Sequence, residues 1–200
     1  SMAYFDLAAY ERARGVDPSD SLARAMAACD EATAINPNDP YAYNNLGMTL
    51  VLLARHELDS GLDPRPTVER ALNELEKSAK IDPEDPTPPL ETGKAYRCIA
   101  EYELLQGRDP SLLIEKATRS IEGSRMLKPS GADTEAAAVW VCAGEAEVAS
   151  GRSPDLMVRR AIESARLASR TNPADFESRI HAGRAHVLQA SWLIRNHRPA

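Results

Sequence analysis

The sequence predicts an all-α solenoid made of stacked antiparallel helix hairpins. The main observation is a tetrapeptide that recurs along the 200 residues at spacings of 46, 46 and 44 positions, as GVDP at Gly15, GLDP at Gly61, GRDP at Gly107 and GRSP at Gly151. Apolar and small residues follow each copy at helical spacing. The composition agrees with this, because aromatic residues make up only 5% of the chain, whereas β-sheets favour aromatic and β-branched side chains.

Each tetrapeptide predicts the tight turn inside a helix hairpin. Its glycine can adopt the left-handed conformation that commonly ends a helix. Its third residue is a good N-cap for the following helix, and its proline suits that helix's first position. The capping residues are Asp17, Asp63, Asp109 and Ser153. We therefore expect one helix to end and the next to begin within these four residues.

The second helix of each hairpin is predicted from positions that step by 4, 3 and 3 residues, the spacing of one helix face. These positions are Ala25, Ala71, Ala117 and Ala161; then Cys29, Leu75, Ile121 and Ala165; then Ala32, Ser78, Ser124 and Ala168; then Ile35, Ile81, Leu127 and Thr171. A proline follows each set, at Pro37, Pro83, Pro129 and Pro173. Because proline lacks an N–H and restricts the residue before it, each helix should end there, after roughly 16 residues.

The first helix of each hairpin carries small residues seven positions apart, which let a neighbouring helix approach closely. They are Gly47, Gly93, Ala137 and Gly183, followed by Ala54, Ala100, Gly144 and Ala190. Between them lies a position for a larger side chain, occupied by Leu50, Tyr96, Trp140 and His186. We expect first helices of roughly 18 residues, and hairpins that must stack to bury their apolar faces.

The hairpins divide the chain into one solenoid of four units and a half. The predicted units are residues 1–37, 38–83, 84–129 and 130–173, with a terminal half-unit at 174–200. The chain begins where a first helix should already be under way, and NHRPA near its end resembles another turn. We expect a fragment of a longer protein, with an array that caps itself by the half-unit as the alternative.

The repeated positions resemble the tetratricopeptide repeat. AYNNLG, from Ala42 to Gly47, is similar to the start of that family's first helix, and ALNELEKSAKIDP, from Ala71 to Pro83, is similar to its second helix. The family's unit is about 34 residues long, so the longer unit here implies elongated first helices. The resemblance implies a non-catalytic scaffold for protein–protein interaction.

The long unit with G-x-D-P at its turns also resembles the repeat regions that lie C-terminal to bacterial serine/threonine protein kinases of the eukaryotic-like type. That resemblance implies a regulatory repeat region of a larger bacterial, cytoplasmic signalling protein. The chain itself carries no G-x-G-x-x-G, H-R-D or D-F-G motif of a kinase catalytic domain. The segment is therefore not expected to be an enzyme, although its parent protein could be a kinase.

Composition argues against several other classes. A formal net charge of −6 disfavours nucleic acid, which binds to a basic face. No apolar run reaches the roughly 20 residues that span a bilayer, so no membrane partner is expected. The three cysteines, Cys29, Cys98 and Cys142, are scattered in apolar surroundings and are interpreted as reduced core thiols. Neither a clustered metal site nor a cofactor is predicted.

The candidate catalytic groups have structural explanations. His56, His181, His186 and His197 have no nucleophile at a recognisable spacing, so they are interpreted as exposed or helix-packing residues. A glutamate recurs near the end of each first helix, as Glu11, Glu57, Glu103 and Glu147. Repetition places these carboxylates in separate, similar environments, which indicates a solvated face or a partner for a neighbouring arginine rather than an acid pair.

The resemblance places a partner groove along the first helices. Its candidate residues are Asn44, Asn45, Met48, Glu91, Lys94, Arg97, Glu101, Glu135, Val141, His181 and Arg184. Members of the family that clamp a peptide carboxylate use asparagines, but here Glu91 and Glu135 stand at positions equivalent to Asn45, and two acids repel a carboxylate. The groove is therefore expected to suit an extended or helical segment of both charge signs; a groove without a ligand remains the alternative.

A structural array that assembles with itself is the competing function. The last helix is apolar on nearly all sides, and its candidate self-association residues are Ile180, Val187, Leu188, Trp192, Leu193 and Ile194. Burying some hundreds of Å² there would favour a homodimer by several kcal/mol at about 25 cal/mol per Å². The interaction scaffold is the preferred prediction, and its partner is a protein or peptide whose identity the sequence does not give.

Overall fold

The computed structural model describes residues 1–128 and 131–196, and these residues form helices joined by short turns. The helices are α1 (Met2–Ala13), α2 (Ser19–Ile35), α3 (Pro40–Asp59), α4 (Arg65–Ile81), α5 (Thr87–Leu105), α6 (Ser111–Leu127), α7 (Ala132–Ala149), α8 (Asp155–Thr171) and α9 (Phe176–Arg195). Two residues that the sequence singled out, Pro129 and His197, lie outside the described residues.

The helices stack as a solenoid of antiparallel hairpins, which confirms the predicted fold class. The pairs α3 with α4, α5 with α6 and α7 with α8 are hairpins, and each second helix also packs against the first helix that follows it. The first helices α1, α3, α5, α7 and α9 contact one another in sequence, whereas the second helices α2, α4, α6 and α8 make no such contacts within the described parts of the chain. One face is therefore a continuous wall of first helices, and the other has grooves between second helices.

The turns have the predicted backbone. Gly15, Gly61, Gly107 and Gly151 all have positive φ angles, of 69°, 75°, 68° and 72°. The Asp63 carboxylate accepts a hydrogen bond from the Arg65 backbone N–H at 3.0 Å, and Asp17 and Asp109 do the same two residues ahead. Each second helix begins just after the proline rather than at it, which differs from the prediction by one residue.

The hairpins are held together by close approach at the small positions. A Cβ atom at Gly93 would lie 2.6 Å from Cγ1 of Ile121, and one at Gly47 would lie 2.6 Å from Cγ of Leu75. Because no Cβ fits there, glycine is what lets α3 pack this closely on α4 and α5 on α6. The second-helix alanines Ala25, Ala71, Ala117 and Ala161 are fully buried.

The serines at the small third position close the hairpins by hydrogen bonding. Ser78 Oγ donates to the carbonyl oxygen of Pro40 at 2.9 Å, and Ser124 Oγ donates to that of Pro86 at 2.8 Å. Both serines are buried, so these bonds satisfy hydroxyls that would otherwise lose water without compensation. They fix the end of each second helix to the start of its own first helix.

Ala71→Leu should lower the free energy of unfolding by about 1–3 kcal/mol, because a larger side chain overpacks a fully buried helix crossing. Urea denaturation measures the effect. Ala23→Leu is the matched control, since Ala23 is exposed on α2 and should change the midpoint little. An unchanged midpoint for Ala71→Leu would mean that the helix register is wrong.

Candidate functional site

A chain of ion pairs runs along the wall of first helices. It starts at Arg12 on α1, whose guanidinium lies 2.6 Å from Asp59 on α3; Asp59 also pairs with Arg55, one helical turn earlier, at 3.2 Å. Arg55 pairs with Glu101 on α5, and Glu101 lies 2.5 Å from Arg97. Arg97 in turn pairs with Glu135 on α7 through two of its guanidinium nitrogens.

The ion-pair chain, defined as Arg12, Asp59, Arg55, Glu101, Arg97 and Glu135, is buried most deeply near α5 and α7. The side chains of Arg97, Glu101 and Glu135 are 14%, 12% and 9% exposed, whereas those of Arg12 and Asp59 are 30% and 41% exposed. Buried charges need partners, and each of these three has one. The chain thus connects four successive first helices through side chains.

Burial and pairing act in opposite directions on the central groups, and pairing prevails. Burial by itself would lower the pKa of the Arg97 guanidinium, but the charges of Glu135 and Glu101 hold it well above its ordinary value. Burial would raise the pKa of the Glu101 carboxyl, but Arg97 and Arg55 lower it overall. Arg97 and Glu101 are therefore both charged at neutral pH.

Lys94 adds a cation beside this chain. Its ammonium lies 2.7 Å from Glu91 on the same helix face, and its side chain is 35% exposed. Burial would lower the pKa of Lys94, but Glu91 and Glu135 raise it overall. Lys94 is the most exposed of the cations in this part of α5.

A cavity of about 300 Å³ opens over these groups. It is lined by Phe5, Met48, Val51, Leu52, Arg55, Glu91, Lys94, Arg97, Cys98, Glu135 and Glu177. Phe5 belongs to α1 and Glu177 to α9, so the wall of first helices curves enough for its two ends to border one space. The lining combines an apolar side from α1 and α3 with a charged side from α5 and α7.

A second cavity of about 460 Å³ lies toward the C-terminal ends of the first helices. Arg55 and Glu101 line this second cavity. At its edge, Arg184 on α9 lies 3.0 Å from Glu145 on α7. The two cavities therefore lie along the same wall, and Arg55 lines both.

His181 lies on α9 within reach of the buried charges. Burial, followed by the charges of the nearby Arg97 and Arg184, lowers the pKa of its imidazole to about 4, although Glu135 and Glu101 act in the opposite direction. The ring is therefore neutral at pH 7. A neutral ring beside two arginines is a packing group rather than a cationic binding group.

His181 should make stability depend on pH. Its pKa is about 4 in the folded chain and near 6.5 in the unfolded chain, so the unfolded state binds more protons between these values. The free energy of unfolding should consequently fall as pH drops from 6.5 toward 4, on the order of 1 kcal/mol by pH 5 for a half-buried ring. Urea titrations at pH 7, 6 and 5 measure this, and His181→Gln should flatten the profile. A proton NMR titration that gives His181 a pKa near 6.5 would refute it.

Seven of the eleven predicted groove residues line one of the two cavities. Met48, Glu91, Lys94, Arg97 and Glu135 line the first cavity, and Glu101 and Arg184 line the second. The other four lie outside both linings: Asn44 and Val141 are buried, and Asn45 and His181 are half-buried. Their role in binding stays a prediction.

The cavity residues outside the predicted groove set are Phe5, Val51, Leu52, Arg55, Cys98 and Glu177. A usable signal existed for Arg55, because Glu101 occupies its equivalent place one repeat later, and opposite charges at equivalent positions of adjacent first helices lie side by side. Phe5 and Glu177 had no such signal, since they approach the cavity from opposite ends of the array.

The recurring glutamates are structural, as expected. Glu103 pairs with Arg108 and Glu147 with Arg152 across the turn, while the Glu57 carboxylate accepts a hydrogen bond from Thr67 Oγ1 at 2.8 Å. Each joins the end of a first helix to the turn or to the second helix. The three cysteines are buried and unbonded; burial raises the pKa of the Cys98 thiol to about 12, so it is not a nucleophile at neutral pH.

The predicted self-association residues on α9 divide into two groups. Leu188 packs against a buried cluster that includes Val141 and Val158, and Trp192 and Leu193 are half-buried. Ile180 and Val187 are 52% and 67% exposed. One side of α9 therefore packs against α7 and α8, while the side that carries Ile180 and Val187 is exposed.

Comparison with known proteins supports the repeat assignment. Residues 28–58, which span the end of α2 and most of α3, match the tetratricopeptide repeat family. No curated protein matches the chain. None of the helices in residues 1–128 and 131–196 is both long enough and apolar enough to cross a membrane. Tetratricopeptide repeats generally mediate protein–protein interaction and are typically non-catalytic, and this segment of the chain carries such a repeat.

Proposed function

We propose that the chain is a non-catalytic protein-interaction scaffold whose partner binds the cavity over the wall of first helices. The observation that carries this is the 300 Å³ cavity, to which α1, α3, α5, α7 and α9 all contribute. A cavity built jointly by several repeats is rigid, because four of its five lining helices, α1, α3, α5 and α7, are each held by a hairpin partner. Rigid concave surfaces favour binding since little ordering is needed when a partner docks.

The charges of the cavity select a partner that is mainly apolar at its point of contact. Arg55 and Arg97 are already committed to buried carboxylates, so a ligand carboxylate would have to break those pairs to bind them. Phe5, Met48 and Leu52 offer apolar contact instead. The partner is therefore an extended or helical segment that inserts an apolar side chain here, with charges of both signs meeting Lys94 and Glu177 at the edge.

Leu52→Asp tests this site. Peptides selected from a random phage-displayed library against the wild-type protein should lose affinity at least about tenfold for Leu52→Asp, because a buried carboxylate without a partner disfavours the contact. Lys116→Glu is the control, since Lys116 is exposed on α6 and outside the cavity lining. Selected peptides that bind both variants like the wild type would place the partner elsewhere.

The setting of this scaffold is proposed from the sequence. The long unit and the G-x-D-P turns support the regulatory repeat region of a larger bacterial, cytoplasmic signalling protein such as a serine/threonine kinase, of which this chain would be a fragment. The coding sequence upstream tests this directly. A kinase domain with G-x-G-x-x-G, H-R-D and D-F-G motifs would support it, and a coding region without them would exclude a kinase parent.

A self-assembling array remains the second candidate, and the exposed side chains of α9 favour it. Phe176, Ile180, Val187 and Ile194 are between 52% and 72% exposed. Val187→Asp and Ile194→Asp leave the buried side of α9 intact, so they separate assembly from folding better than removal of the helix would. Light scattering across a concentration series should show a wild-type dimer and monomeric variants if this function holds, and a wild-type monomer throughout would exclude it.

A further inference from the structure

A further cavity lies away from the first-helix wall, in the groove between the second helices α4 and α6. Its volume is about 640 Å³. Its floor is the beginning of α5, with Pro88, Pro89, Thr92 and Tyr96, and its sides include Leu72 on α4 and Leu127 on α6. This space shares no lining residue with the cavity of the proposed function.

The repeat supplies an internal comparison for this groove. One unit later, the equivalent positions on α6 and α7 enclose only about 30 Å³, lined by Thr118, Ile121, Glu122, Arg125, Ala136, Val139 and Trp140. Arg125 occupies the place of Ala79, and Trp140 occupies the place of Tyr96. At this place the later unit carries larger side chains of its own, whereas Ala79 leaves space in the earlier one.

Arg125 shows what such a groove binds. Its guanidinium lies 2.9 Å from Glu122 and 2.6 Å from Asp133, and its side chain is 32% exposed. The carboxylate equivalent to Glu122 is Glu76, which lines the open groove. An arginine side chain that pairs with carboxylates therefore already lies beside Trp140 at the corresponding place in the same molecule.

The charges of the open groove are complementary to such an occupant. Glu69, Glu76 and Asp85 line it, and no lysine or arginine is among its lining residues. Two lysines stand at its rim: Lys80 lies 2.6 Å from Glu76, and Lys116 lies 5.3 Å from the centre of the Tyr96 ring. The Lys80 pair is largely exposed, so it is weak and a better-positioned guanidinium can replace it.

We propose that the groove between α4 and α6 is a second docking site, for a partner protein segment that carries an arginine flanked by apolar residues. The guanidinium pairs with Glu76, the stem of the arginine lies on Pro89 and Tyr96, and the apolar neighbours contact Leu72 and Leu127. In the next unit the chain's own Arg125 and Trp140 occupy this place. In the open groove Ala79 and Tyr96 leave space there, and the partner's arginine fills it.

A labelled acetyl-Leu-Arg-Leu-amide peptide is the probe, and its counterpart with citrulline in place of arginine is the neutral isostere. Fluorescence anisotropy should show saturable binding of the arginine peptide and at least about tenfold weaker binding of the citrulline peptide, because a charge-assisted hydrogen bond is lost. Equal binding of the two peptides, or no saturation up to millimolar concentration, overturns the proposal.

Ala79→Arg locates the site, because it places an arginine where Arg125 stands in the next unit. It should weaken peptide binding at least about tenfold by filling the groove from within, whereas Thr33→Arg, the same change one unit earlier, should not. Glu76→Gln should weaken binding several-fold without adding bulk, and circular dichroism verifies that each variant is folded. Leu52→Asp should bind this peptide like the wild type, which separates this site from that of the proposed function. Unaltered binding by both Ala79→Arg and Glu76→Gln would refute it.

Discussion

Arg97→Met should lower the free energy of unfolding by about 3–5 kcal/mol, the largest effect of a single polar substitution expected in this chain. The change removes the shared partner of Glu101 and Glu135, whose side chains are 12% and 9% exposed, and leaves two carboxylates buried together. Glu135 then loses the pair that offsets its burial, Glu101 keeps only Arg55, and the two carboxylates repel each other. Urea denaturation at pH 7 measures the loss.

Two further variants separate pairing from packing. Glu101→Gln with Glu135→Gln in the Arg97→Met background should recover a large part of the loss, since neutral amides carry no uncompensated charge. Arg119→Met is the matched control: its pair with Glu115 is 77% and 62% exposed and should matter by less than about 0.5 kcal/mol. If Arg97→Met costs no more than Arg119→Met, the ion-pair chain does not hold the wall together.

Ile121→Ala should lower the free energy of unfolding by about 2–5 kcal/mol, because Ile121 is 3% exposed and its removal leaves a void. Ile121 also lies very close to Gly93 on α5, so substitutions at these two positions together test how closely the two helices pack. Gly93→Ala alone should cost about 1–3 kcal/mol, since its Cβ would lie 2.6 Å from Ile121 Cγ1 and 3.3 Å from the Ala117 carbonyl oxygen.

The double variant reverses the sign of the glycine substitution. In the Ile121→Ala background, the methyl group of Gly93→Ala enters the new space and gains the helix propensity of alanine, so it should be neutral or stabilising. Gly183→Ala is the control at the equivalent position of α9, where a Cβ would meet no atom within 4 Å; it should stabilise by about 0.5–1 kcal/mol. Additive losses at Gly93 and Ile121 would contradict the close-approach account.

The helices and their order could be predicted because the signals are local and repeated. Four copies of one turn fix the positions of the glycines with positive φ, and the first three positions of the 4-3-3 spacing mark the inner face of each second helix. The fourth position was predicted wrongly to be buried: Ile35, Ile81, Leu127 and Thr171 are exposed, because each lies at the end of its helix. A buried alanine at Ala71 or Ala117 follows from position alone, since equivalent residues of a solenoid meet equivalent surroundings.

The pairing of charges could not be predicted in the same way. Arg97 and Glu135 are not at equivalent positions, and they meet only because α5 and α7 lie at a particular offset. That offset depends on packing between hairpins, about which a single repeat says nothing. The open groove beside Tyr96 could not be predicted for a related reason. Ala79 and Pro89 both line it, and neither residue is unusual in the sequence by itself.

We propose that the partner binds to the wall of first helices. Amide NMR of the protein with a library-selected peptide tests this proposal most directly. The predicted result is that chemical-shift changes concentrate at Met48, Leu52 and Lys94, around the cavity that five first helices share. Changes confined to the exposed side of α9, around Val187 and Ile194, would contradict it and would support the self-assembling array instead.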